Sequence, residues 1–128
     1  MDPENEIRLY NYANALLRTK RYGDAIAIYE KVARLNNYDP KPWQSRGVAL
    51  INLGKLDEAY RSFRKAVLVD SGHIASWLNL GAVLQMRGQP RKAKTILSYC
   101  VKLVPENYVA NRALEAWPKT HRVLAVNF

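Results

Sequence analysis

The side chains able to do covalent or metal chemistry are few in this chain of 128 residues: one thiol, Cys100, two imidazoles, His73 and His121, and one adjacent carboxylate pair, Asp57 and Glu58. A hydrolase or transferase needs a nucleophile, a base and an orienting group converging on one point. His73 stands in the turn Asp70-Ser71-Gly72-His73 and His121 follows Pro118, and both read as exposed loop residues. Cys100 falls in an apolar helical run, where a thiol serves as a small buried hydrophobe. No Gly-rich phosphate loop and no H-E-x-x-H motif occurs. One Cys and two His cannot supply the four ligands of a structural zinc, and a single Cys closes no internal disulfide. The expectation is a non-enzyme that needs no cofactor and no metal.

What remains is charge. Lys and Arg number 20 against 11 Asp and Glu, a formal net charge of +9. The surplus grows along the chain: residues 1–39 carry 6 basic and 6 acidic groups, residues 40–73 carry 6 and 3, and residues 74–107 carry 5 and 1. Arg87, Arg91, Lys92 and Lys94 form the densest basic patch. Such a field favours an acidic protein segment, nucleic acid or an anionic surface. Nucleic-acid readers interleave basic groups with exposed aromatics, whereas the aromatics here fall at apolar helical positions, so a protein or peptide partner, acidic at this patch, is expected in place of RNA or DNA. No apolar run approaches the roughly 20 residues of a membrane span, and the start Met1-Asp2-Pro3-Glu4-Asn5-Glu6 is unlike a signal peptide. Membrane insertion is not expected, and the reading is a cytoplasmic protein.

The elements that position these groups follow from an internal repeat. Trp43 aligns with Trp77 at a spacing of 34 residues, and Gly47 with Gly81, Leu50 with Leu84, Gly54 with Gly88, Ala59 with Ala93, and Phe63 with Leu97 follow in step. One period earlier stand Leu9, Ala13, Leu16, Ala25 and Tyr29, with Lys20 in place of the turn glycine. A fixed period of this length marks stacked units. Apolar residues at helical spacing make each unit two helices, broken by Gly54 and by Gly88-Gln89-Pro90. The spacing predicts helices over 7–19, 23–36, 41–53, 57–69, 75–87 and 91–103, and a seventh over 107–117 that Pro118 ends. Small Gly47, Gly81, Ala59 and Ala93 are expected to let helices approach closely, with Trp43, Trp77, Tyr29 and Phe63 filling the space between layers.

The 34-residue period, the Trp43-to-Gly47 and Trp77-Leu78-Asn79-Leu80-Gly81 starts, the mid-unit glycines and Pro105 together resemble the tetratricopeptide repeat family. The resemblance implies an all-α, right-handed α-solenoid. Three helix pairs over about 6–39, 40–73 and 74–107, with a capping helix over 107–117, make a domain of residues 1–117, followed by a tail of 118–128. It also implies a non-catalytic protein-interaction module, an adaptor or assembly factor whose concave groove takes an extended or helical peptide. The groove side chains implied are Tyr10, Asn14, Leu17 and Arg18, then Lys41, Gln44, Ser45, Val48, Ile51 and Asn52, then Leu78, Asn79, Ala82, Gln85 and Met86, with Arg112 at the edge. Amides such as Asn14, Asn52 and Asn79 can donate to a peptide carbonyl while accepting from an N–H.

Family members that hold acidic chaperone tails share a clamp of Lys and Asn, then Asn, then Lys and Arg. The equivalent places here hold Tyr10 and Asn14, Ser45, and Ala75 and Asn79, so only Asn14 agrees and a terminal carboxylate would be left poorly paired. Two alternatives stand behind the groove reading. Asn37-Tyr38-Asp39-Pro40-Lys41-Pro42-Trp43 before the later helix pairs is similar to the three-repeat translocator chaperones of type III secretion. The other is a basic, nucleic-acid-associated repeat protein. The apolar stretch Val123-Leu124-Ala125-Val126 in the tail suits docking on the repeats or on a larger assembly.

Overall fold

The computed structural model describes residues 3–115, which form seven helices and no strand. They are α1 (Pro3–Arg18), α2 (Tyr22–Leu35), α3 (Lys41–Asn52), α4 (Leu56–Val69), α5 (Ile74–Met86), α6 (Pro90–Leu103) and α7 (residues 108–115). The end of the seventh helix near Trp117 and Pro118, and the 118–128 tail, lie outside the described residues. Helix α1 starts four residues before its expected start. Pro3 suits a first helical position and Glu4 and Glu6 face the positive end of the helix dipole.

From α1 to α6 each helix packs on the next, and alternate helices also touch on the odd-numbered side, α1 with α3 and α3 with α5. The odd side is therefore the inside of the curve, and the stack is an all-α solenoid. Helix α7 begins at residue 108, 34 residues after Ile74, and so occupies the register of a fourth unit's first helix. Its Ala110 is fully buried, and Ala113 and Leu114 pack against the main core cluster.

That cluster gathers Leu50, Ala59, Phe63 and Val67 from the second unit with Leu80, Val83, Leu84, Ala93 and Leu97 from the third. A smaller one, Ala13, Leu16, Ala25 and Tyr29, holds α1 to α2. Tyr29 and Phe63 are fully buried and fill the inter-helix space as expected. The two tryptophans are less deeply set. Trp43 and Trp77 are only half-buried, and Trp77 packs against the main core cluster. Trp77 donates its indole N–H to the carbonyl of Ser71 at 2.8 Å and meets Tyr99 with ring centroids 4.6 Å apart.

The turns within units use left-handed backbone. Gly54 and Gly88 have φ of 75° and 76°, a conformation in which a side chain would crowd the following carbonyl. In the first unit Lys20 takes the same turn at φ 64°.

Candidate functional site: the concave face of the odd helices

At 100° per residue, Gln44, Val48 and Asn52 lie on one side of α3, about 170° from Trp43 and Arg46. The first side faces α1 and α5, where two hydrogen bonds cross between units. Tyr10 and Ser45 meet through their hydroxyl oxygens at 3.2 Å, and Gln44 Nε2 donates to Asn79 Oδ1 at 2.8 Å. The two are related by the repeat, since each bond joins residues 35 apart in equivalent positions of successive units.

The Gln44–Asn79 bond uses one amide donor and one amide acceptor. It leaves Asn79 Nδ2 as a donor and Gln44 Oε1 as an acceptor, side by side on the odd-helix face. A peptide backbone offers the complementary C=O and N–H. Asn14 is partly committed too, since its Oδ1 accepts from the Tyr29 hydroxyl at 2.6 Å. Burial pushes the Tyr29 pKa up to about 12, which keeps that donor protonated. Asn52 is exposed and returns its amide to the Val48 carbonyl of its own helix at 2.9 Å.

The other groove positions divide into open and closed. Arg18 and Lys41 are exposed, and Tyr10, Leu17, Val48, Ile51, Leu78 and Met86 are half-buried. Arg112 is exposed but lies back on its own helix, donating to the Tyr108 hydroxyl at 2.8 Å with its guanidinium over that ring. Gln85, expected in the groove, is instead buried, 3% exposed, and Ala82 is buried with it. Helix α5 is enclosed by α3, α4 and α6, and the run from Leu80 to Gln85 is buried without a break. A helix apolar on all sides belongs inside. Among the described residues, neither amide atom of Gln85 has a partner.

The basic patch is also divided. Arg91, Lys92 and Lys94 are exposed, and the first two line an open cleft of about 300 Å³ with Gly88, Gln89 and Pro90. Arg87 is corrected to a packing role: it pairs with Asp57 at 3.1 Å and its guanidinium lies 4.6 Å from the Tyr60 ring centroid. Cys100 is fully buried, and burial pushes its thiol up to about 11, far from a reactive thiolate at neutral pH. His73 is half-buried, its Nδ1 2.6 Å from the Ser76 hydroxyl, in place of the exposed loop position expected. Among the described residues no three His, Cys, Asp or Glu side chains gather as a metal site would require.

The sequence reading missed a second concentration of groups, the cationic cleft around Trp43 on the opposite side of α3. The 6-to-3 charge excess of residues 40–73 carries the signal, but the repeat register gives Trp43 only a place between layers.

Comparison with known proteins places this geometry. The chain is 26% identical over 111 residues to the mouse (Mus musculus) protein O-mannosyl-transferase TMTC1, an alignment covering 84% of this chain and 12% of that relative. The chain spans between 11% and 20% of the length of the curated relatives it matches. The second TPR domain of human RPAP3, solved in complex with an HSP70 peptide, superposes with a TM-score of 0.83 at 21% identity, over 92% of this chain and 99% of that one. The Yersinia enterocolitica type III secretion chaperone SycD, solved with a peptide of the translocator YopD, superposes at 0.82 and 19% identity, over 90% and 93%. At these identities the structures share the fold. The tetratricopeptide repeat profile itself matches residues 8–39 and 40–73. With two units matched in sequence and the third repeating their register in α5 and α6, the chain belongs to the tetratricopeptide repeat family.

Proposed function

We propose that this chain is a non-catalytic protein-interaction module that holds an extended peptide segment across α1, α3 and α5. The single observation that carries the reading is the Gln44–Asn79 bond, which fixes two amides so that one free donor and one free acceptor stand together. Half-buried Val48, Leu78 and Met86 beside them offer apolar contact for the segment's side chains. The RPAP3 and SycD domains were solved with peptides bound, which supports the same use of the scaffold here.

The groove favours backbone over a terminal carboxylate. The places where a carboxylate clamp needs cations hold Tyr10, Ala75 and Asn79, none of them charged, and Tyr10 is bonded to Ser45. The likeness to SycD is one of fold and carries a translocator-chaperone role no further than the shared scaffold. Exposed Arg91, Lys92 and Lys94 would speed encounter with an acidic partner without anchoring it. Action as an adaptor or assembly factor in the cytoplasm belongs to the same proposal; no helix among the described residues is long and apolar enough to cross a membrane.

A random peptide library displayed on phage and selected on the immobilised full chain tests the reading. Enriched peptides should bind a Gln44→Ala/Asn79→Ala double variant about tenfold or more weakly, the loss expected for one or two well-made hydrogen bonds. Equal affinity for the double variant and the parent chain would overturn it.

A further inference from the structure

Glu30 and Arg34 of α2, Trp43 and Arg46 of α3, and Arg61, Ser62 and Lys65 of α4 surround an open cleft of about 390 Å³. It opens on the side of α3 turned away from Gln44, Val48 and Asn52, so it is separate from the groove. We propose that this cleft is a second binding site, for a protein segment that presents a carboxylate next to an apolar side chain.

The charge argument comes first. Four cations surround the cleft with one carboxylate, Glu30, among them. Glu30 is already committed: its Oε1 accepts from Arg46 Nε at 3.0 Å, and its Oε2 lies 3.7 Å from Arg34. Arg46 also donates to the Ser62 hydroxyl, and its side chain is only 17% exposed. It is a cation fixed in direction by α2 and α4 together. Arg61 and Lys65, one turn apart on α4 and both exposed, form no ion pair among the described residues. Like charges held around one concavity repel, and an anion entering it relieves that repulsion while gaining charge-assisted hydrogen bonds.

The apolar half of the specificity comes from Trp43. Its ring is half-buried, and Lys65 Nζ lies 5.8 Å from the ring centroid, within the range of a cation–π contact. The ring and the alkyl stems of Arg34, Arg61 and Lys65 make a wall that a Leu or an aromatic side chain can cover. A cleft of this volume suits a few side chains, at the lower end of the range for ligand pockets. A nucleic-acid strand is the poorer fit. It needs a continuous track of cations with aromatics free to stack on bases, whereas here a single Trp is partly covered by Lys65 and a carboxylate sits in the site.

The test uses the full chain, isotopically labelled, with the Trp43 indole resonance identified by comparison with Trp43→Phe. The probe is the acetylated, amidated peptide Glu-Glu-Leu-Glu at low ionic strength. The expected result is a saturable shift of the Trp43 indole that weakens about tenfold when the peptide is Gln-Gln-Leu-Gln, and weakens similarly in Arg61→Glu/Lys65→Glu. Arg61→Gln/Lys65→Gln serves if the charge reversal lowers the melting temperature. Gln44→Ala/Asn79→Ala should leave this shift unchanged, which separates the outcome from that of the groove. A stationary indole at about 5 mM peptide, a weak site by the usual affinity scale, would overturn the proposal. So would a shift indifferent to Arg61 and Lys65, displacement of the peptide by an oligouridine strand that binds more tightly, or an indole shift that depends on protein concentration alone, the sign of a second copy in the cleft.

Discussion

A β-carbon placed on Gly47 would lie 2.5 Å from the Phe63 ring, whereas one placed on Gly81, the equivalent position a unit later, would lie 3.5 Å from its nearest neighbour, Ile96. The two glycines look identical in the repeat alignment, yet only the first is sterically required. Gly47→Ala should destabilise the fold by about 1–3 kcal/mol, because the Phe63 ring is fully buried and has nowhere to turn. Gly81→Ala should cost less than about 1 kcal/mol, with alanine's better helix propensity offsetting the contact. Urea denaturation of both variants decides the matter, and equal losses would mean that the α3–α4 approach is not governed by this pair.

Lys20 occupies a left-handed turn that Gly54 and Gly88 fill in the other units. A side chain there costs about 1 kcal/mol or more, and glycine returns part of that in unfolded-chain entropy. Lys20→Gly should raise stability by a few tenths to about 1 kcal/mol, read as a rise in melting temperature. A fall would show that the Lys20 stem makes a contact outweighing the backbone strain.

Much of this architecture was legible from spacing because spacing is what a repeat preserves. The 34-residue step, the turn glycines and the helix pairs all follow from local rules that act within one unit. What escaped are facts of depth. Gln85 falls on the groove stripe by register, but α5 has neighbours on nearly every side, and a one-face pattern cannot report that enclosure. Register places Trp43 and Trp77 between layers, but it does not report that each remains only half-buried. Arg87 reads as one of four equal charges until Asp57 and Tyr60 are brought to it from another helix. The groove's cross-links, Tyr10 to Ser45 and Gln44 to Asn79, join different units, and no local rule announces them.

Gln85, buried with both amide atoms unpartnered among the described residues, makes its own prediction. An orphaned buried polar group costs about 1–3 kcal/mol, and an unbranched apolar side chain of similar length removes that cost. Gln85→Met should therefore stabilise the chain by about 1 kcal/mol or more in chemical denaturation. Loss of stability on this change would mean that the amide is paired in solution.

Alkaline titration should expose two buried groups in turn. The Cys100 pKa is raised from 9.0 to about 11 and that of Tyr29 from 10.0 to about 12, in both cases mainly by burial. Raised folded-state pKa values favour the protonated forms in the native chain. Their contribution is fully present below pH 9 and is lost as pH climbs, from 9 to 11 for Cys100 and from 10 to 12 for Tyr29. Each group lowers stability by about 1.4 kcal/mol per pH unit within its window. Cys100→Ala should delay the onset of the decline to near pH 10, where Tyr29 takes over. A stability curve flat to pH 11 in the parent chain would refute both assignments.

The repeated cross-link has a consequence for how the molecule could grow. Tyr10–Ser45 and Gln44–Asn79 are successive rungs, and the next pair in the same register, Leu78 and Ala113, is apolar, with both residues packed against the main core cluster. A tandem duplication of residues 40–73 would set Gln44 of one copy opposite Ser45 of the next, an amide facing a hydroxyl, so the one new junction keeps a polar rung. Duplicating residues 74–107 would set Leu78 opposite Asn79 and strand an amide against a hydrocarbon. The middle unit is thus the segment that a longer array can repeat without losing a polar rung.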